Sequence, residues 1–119
     1  MTLTPEQNAI ATDVAGTFLQ FLGRACPGWE VGFFRYALGA GGPTASAACV
    51  IGARVAVVEH PGVFDLLMER SKALFDSLAR TKGVVLFVVG ASRQVEVRFD
   101  LEDLDRWKLD AGTGLPEGL

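Results

Sequence analysis

The 119-residue sequence predicts an α+β domain: a mainly antiparallel sheet of about five strands with two long helices, in the order α-β-β-β-α-β-β, and a short C-terminal helix or tail. Three observations predict it. Residues 4–25 and 63–81 place apolar side chains at helical spacing. Five shorter stretches are apolar and β-prone, each bounded by Gly, Pro or polar residues. Most breaks between strands are short, which favours antiparallel neighbours over crossovers. One domain is expected over residues 1–111, because a chain of this length holds one packed core. Residues 112–119 are Gly-rich and are expected to be a flexible tail.

In the first helix Thr4 can cap, Pro5 suits the first turn, and Glu6 complements the positive end. Ile10, Val14, Phe18, Phe21 and Leu22 form its apolar stripe, and Cys26-Pro27-Gly28 ends it. Residues 29–38 are aromatic and β-prone, the first strand. Residues 39–44 (GAGGPT) read as a turn, 45–51 as the second strand, 52–54 as a tight turn and 55–59 as the third strand. His60-Pro61-Gly62 breaks the pattern. In the second helix Phe64, Leu67, Ser71, Leu74 and Leu78 lie on one side, widened by Leu66 and Phe75. Asp76 and Arg80 are spaced as an i,i+4 pair, and Gly83 is the expected C-cap. Residues 84–89 are uniformly apolar, which predicts a central strand covered on both faces by helices or by a partner subunit. After a turn at 90–94, Val95, Val97, Phe99 and Leu101 alternate with Glu96, Arg98 and Asp100, a half-buried strand with one wet face.

Apolar residues make up 50% of the chain and charged residues 21%, which argues against disorder. The longest charge-free run, residues 36–53, contains four Gly and a Pro, so it reads as strand, turn, strand and not as a membrane span. The N-terminus has no basic stretch of the signal-peptide kind. A cytoplasmic chain is expected, with Cys26 and Cys49 as free thiols. The net charge of −3 is uneven. From Val95 onward seven acids face three bases, a local −4, and the earlier residues carry +1 from eight bases and seven acids. A nucleic-acid partner would need a basic stripe, which this pattern lacks. A basic protein partner fits it, and a homodimer burying residues 84–89 is compatible with it.

Few residues look chemical. His60 is the single histidine, and it stands before Pro61 at a helix entrance, a structural position more than a catalytic one. Residues 39–44 lack the Lys of a phosphate-binding loop and precede a strand. The stretch RFDLEDLDRW, residues 98–107, holds four acids. It does not match a calcium loop started at Asp100 or at Asp103. Nothing beside it predicts a raised carboxyl pKa, so acid–base catalysis is not expected. It reads best as a strand end running into an acidic-capped turn, with Asp103 as the cap and Leu104 and Trp107 packed down. The outward acids can also dock a basic protein. The partner-binding set expected from the sequence is Asp100, Glu102, Asp103, Asp105 and Trp107, with no catalytic residue, metal or cofactor.

The layout resembles the YezG-like family of small bacterial immunity proteins. The resemblance is carried by Gly28-Trp29-Glu30-Val31, by the helix over residues 64–79, and by Phe99-Asp100-Leu101-Glu102-Asp103-Leu104, similar to the family's F-x-Y-E-D-L motif. Leu101 stands where the family has an aromatic, and Thr81-Lys82-Gly83 where it often has Pro-Trp. The resemblance implies a non-enzymatic protein that binds and neutralises a toxin domain, with Trp29 and Phe99 in packing and Glu102 and Asp103 at the surface. Two other classes stay open at this point. One is a ligand-binding or enzymatic domain with a pocket between sheet and helix. The other is a structural homo-oligomer.

Overall fold

The computed structural model describes residues 2–119. Helix α1 spans Pro5–Ala25 and α2 Pro61–Ser77; the strands are β1 Val31–Gly39, β2 Gly42–Ile51, β3 Arg54–Val58, β4 Gly83–Gly90 and β5 Val95–Asp100. They form one sheet in the order β3-β2-β1-β4-β5, with every neighbouring pair antiparallel. The α+β class and the element order are those the sequence predicts.

Both helices lie on one face of the sheet. Val14, Phe18 and Leu22 of α1 and Leu67, Leu74 and Phe75 of α2 meet Phe34, Tyr36, Val85 and Phe87 in the main core. The other face is covered by the chain itself: Phe33, Ala37, Val84 and Leu86 meet Leu104, Trp107 and Leu115. Strand β4 is therefore interior in both senses, between β1 and β5 and under cover on each side. The alternation holds for Val97 and Phe99 of β5 and for Leu101 just beyond it, which pack on the main core. Val95, next to the turn, is 47% exposed, so the inward set begins at Val97.

Helix α1 starts in a capping box. Thr4 Oγ1 accepts from the Gln7 N–H at 3.1 Å, and Gln7 Oε1 accepts from the Thr4 N–H at 2.9 Å. Gln7 Nε2 also donates to Ser77 O at 3.2 Å, and Arg70 pairs with Asp13, so the two helices are tied at two places. His60 is the N-cap of α2: its Nδ1 accepts from the Val63 N–H at 3.2 Å. That accounts for the single histidine structurally.

Most strand ends shift by one or two residues from expectation, and larger differences fall at the turn after β1 and at the end of α2. The turn after β1 is two residues, Ala40 and Gly41, because Gly42, Pro43 and Thr44 pair with Gly39, Leu38 and Ala37. Pro43 is tolerated in β2 because β3 reaches only to Ala47, so that end of β2 has an open side where a missing N–H costs no ladder bond. Helix α2 begins at Pro61 and ends at Ser77. Its C-cap is closed by Arg80 N–H to Phe75 O and Ala79 N–H to Asp76 O, both 3.0 Å, a Schellman arrangement with Ala79 in the left-handed position at φ 55°. Gly83 is too far on to cap and instead opens β4. Asp76 consequently pairs with Lys72 inside the helix, since Arg80 lies beyond its end. Leu66 is 38% exposed and stands outside the core.

Ala79 makes a first prediction. A left-handed alanine is strained by about 1–2 kcal/mol, while glycine costs up to ~1 kcal/mol of extra chain entropy. Ala79→Gly should therefore stabilise the domain by about 0.5–1 kcal/mol. Urea unfolding of the two proteins checks it; a lower midpoint in the variant would count against this reading of the cap.

Candidate functional site

The acidic stretch leaves β5 at Asp100 and turns onto the outer face of the sheet. The structure places turns, and no helix, over residues 101–119. The carboxylates themselves explain part of this. Asp100 Oδ1 accepts from the Glu102 N–H at 3.0 Å and the Asp103 N–H at 2.9 Å, and Asp103 Oδ1 accepts from the Asp105 N–H at 3.0 Å. Such side-chain bonds to nearby backbone compete with helical ones. Asp100, and not Asp103 alone, thus does most of the capping.

The rest is done from a distance. Arg35, on β1, is 5% exposed and passes under the loop. Its Nε donates to Arg106 O at 2.9 Å and its Nη2 to Leu104 O at 2.6 Å. In a helix the Leu104 carbonyl would accept from residue 108; here the guanidinium takes it. Trp107 then adopts φ 58°, which stops any helical continuation. The indole is 4% exposed, lies on the outer-face cluster, and has the Arg106 guanidinium 5.0 Å above its ring.

Charge is arranged in pairs around this scaffold. The backbone N–H groups of Asp103 and Glu102, then Arg106 at 3.3 Å, hold the Asp100 carboxyl below its ordinary value. Lys108, bonded to Asp105 at 2.7 Å, holds Asp105 down in the same way, with help from Arg35. Burial pulls the Arg35 guanidinium below its usual value, while Asp105 and Asp103 oppose that shift. A second Asx turn follows: Asp110 Oδ2 accepts from the Thr113 N–H at 2.8 Å and the Gly112 N–H at 3.1 Å. Glu117 N–H donates to Lys108 O at 2.8 Å, Leu109 bridges Pro116, and Pro116 is buried. Within residues 112–119, read from sequence as a flexible tail, residues 115–117 thus fold back as the second arm of a small hairpin.

Asp100 supports a pH prediction. A carboxyl with a lowered folded pKa contributes stability that is present above its unfolded pKa and lost as pH falls through the folded one. Asp100→Asn keeps an acceptor oxygen but does not titrate. The gap in urea midpoint between the wild type and Asp100→Asn should therefore narrow from about pH 5 to about pH 2. A gap constant over that range would remove the carboxylate's role as a cap.

The predicted partner-binding residues separate into two groups. Glu102, Asp103 and Asp105 are exposed. Asp100, its side chain 19% exposed, is turned to its own backbone, and Trp107 is buried and packs. Trp29 and Phe99 are half-buried against the main core, Phe99 edge-on to Phe75 with ring centres 6.4 Å apart. Arg35 was not foreseen. Its signal was present: in Phe33-Phe34-Arg35-Tyr36 one charge stands in a strand aromatic on both faces.

Neither a family model nor a curated protein matches this chain. What the loop can do follows from its own geometry. A groove of about 270 Å³ runs beside it, with Arg35, Thr44, Leu104, Asp105 and Lys108 among its walls. Among the described residues no three His, Cys, Asp or Glu side chains converge as a metal-binding group, and no helix is long and apolar enough to cross a membrane. Two of the loop's acids already carry basic partners within the chain. Glu102 and Asp103 have no basic side chain bonded to them among the described residues.

Proposed function

We propose that this chain is a non-enzymatic binding protein that docks a basic protein partner through its acidic C-terminal loop. One observation carries the reading: Glu102, Asp103 and Asp105 stand exposed on a backbone that Asp100 and Arg35 hold in place. A loop already ordered gives up little conformational freedom on docking, so more of the charge attraction is expressed as affinity and on-rate. The filled interior between sheet and helices, where Phe18, Phe34, Leu74, Phe75 and Phe87 are fully buried, favours this over a ligand site in that layer. Taken with the resemblance to YezG-like immunity proteins, the partner would be a basic toxin domain and the action its neutralisation, in a bacterial cytoplasm.

The test uses a variant that changes charge and spares the scaffold. Glu102→Lys with Asp103→Asn alters the loop by +3 and keeps an acceptor for the Asp105 N–H. Stability should change by less than about 0.5 kcal/mol, as for solvated surface positions. The wild-type chain serves as bait, and association with the captured partner is timed at two salt concentrations. A basic partner is expected, with the variant about tenfold slower at low salt and the difference shrinking at high salt. An acidic partner, or equal rates at both salts, would remove the loop as the docking surface.

A further inference from the structure

Cys26 and Cys49 are distant in sequence and meet in the fold. Cys26 is the C-cap of α1, half-buried, its N–H bonded to Leu22 O at 2.9 Å. Cys49 lies fully buried on β2, opposite Gly32 of β1. A Cβ on Gly32 would stand 2.2 Å from Leu22 Cδ1, so the last turn of α1 rests directly on the sheet at this point. That approach sets Cys26 against the core cluster that contains Cys49, so both thiols lie at the one seam between α1 and the sheet, and both are free.

The geometry points to a redox-modification site: Cys26 and Cys49 form a dithiol that a small-molecule disulfide of the glutathione type converts into a covalent link between α1 and β2. Cys26 is the reachable member. Its thiolate, having given its proton to solvent, attacks one sulfur of the small disulfide; that S–S bond breaks, and one small thiolate leaves and takes up a proton. Cys49 then loses its proton to solvent and attacks the Cys26 sulfur, expelling the second small thiol. Two protein thiols and one small disulfide become one protein disulfide and two small thiols, with two electrons passed to the oxidant. Burial, with the neighbouring Cys26, pushes the Cys49 thiol up to about 12. Cys49 is therefore the resolving thiol and not the point of entry.

The experiment treats the full chain with glutathione disulfide, quenches in acid and reads intact mass. The wild type should lose two hydrogens, keep no lasting adduct, and melt several degrees higher, since the bond closes a long loop. Dithiothreitol should reverse both changes. Cys49→Ala should stop at a stable glutathione adduct on Cys26, and Cys26→Ser should stay unmodified. If either variant fails to fold, peptide mapping of the oxidised wild type reads the same linkage directly. A lasting adduct on wild-type Cys26, or a wild type left fully reduced, would overturn the proposal.

Discussion

Arg35→Ala is expected to destabilise the domain by about 3 kcal/mol and to free the loop from the sheet. Each hydrogen bond from a charged group contributes about 1.5–3 kcal/mol, and Arg35 makes two, to Leu104 O and Arg106 O. Part of that is offset because the variant no longer buries a charge. The loss does not end at two bonds. The freed carbonyls must find water, and Trp107, which packs beneath the same segment, loses its cover. Arg35→Lys should recover little, because an ammonium cannot span two carbonyls as the planar fork does. Urea unfolding gives the stability, and near-ultraviolet circular dichroism reports the packing of Trp107. A cost below about 1 kcal/mol with an unchanged Trp signal would mean that the loop stands without its arginine.

Gly32→Ala should cost about 2–3 kcal/mol, near the upper end for overpacking a filled core. The new methyl would stand 2.2 Å from Leu22 Cδ1, and 3.2 Å from both Phe18 Cε2 and Val89 Cγ2. Leu22 and Phe18 are fully buried, so the leucine cannot swing to solvent. The helix end has to lift. Shortening Leu22 makes the space, so Gly32→Ala and Leu22→Ala should be less than additive, with a coupling of about 1 kcal/mol or more. Urea unfolding of the four proteins in the cycle measures this. Strict additivity would show that α1 and the sheet are not in contact at this point.

These two residues also mark where reading the sequence reaches its limit. Helix α1 was legible because Thr4, Pro5 and the stripe from Val14 to Leu22 are local signals. The interior position of β4 was legible because an unbroken apolar run has one comfortable place. The end of α2 was misplaced because Ala79 occupies the left-handed position that pattern reserves for glycine, and Gly83 drew the boundary towards itself. Likewise GAGGPT has the composition of a six-residue loop, yet only two residues turn, because backbone pairing is indifferent to composition where the edge is open. In the acidic stretch the capping tendency of aspartate could be read locally. Which aspartate would cap could not, since that depends on carbonyls held by Arg35 from 69 and 71 positions away. The depth of Trp107 was half legible: its spacing from Leu104 places it inward, while the acids around it draw it into the expected docking set.

Those separations set an order on synthesis. When a ribosome has made β5, the sheet can be complete, but the segment that shields its outer side has not emerged. Through that interval Phe33, Ala37, Val84 and Leu86 face water as a sticky strip on the nascent chain. Arg35 stands on the same side of β1, between Phe33 and Ala37. A charge set within such a strip acts as a gatekeeper, opposing stacking of one unfinished chain on another. The same guanidinium that later fastens the loop would thus keep the growing chain apart from its neighbours until Leu104, Trp107 and Leu115 arrive to cover the strip.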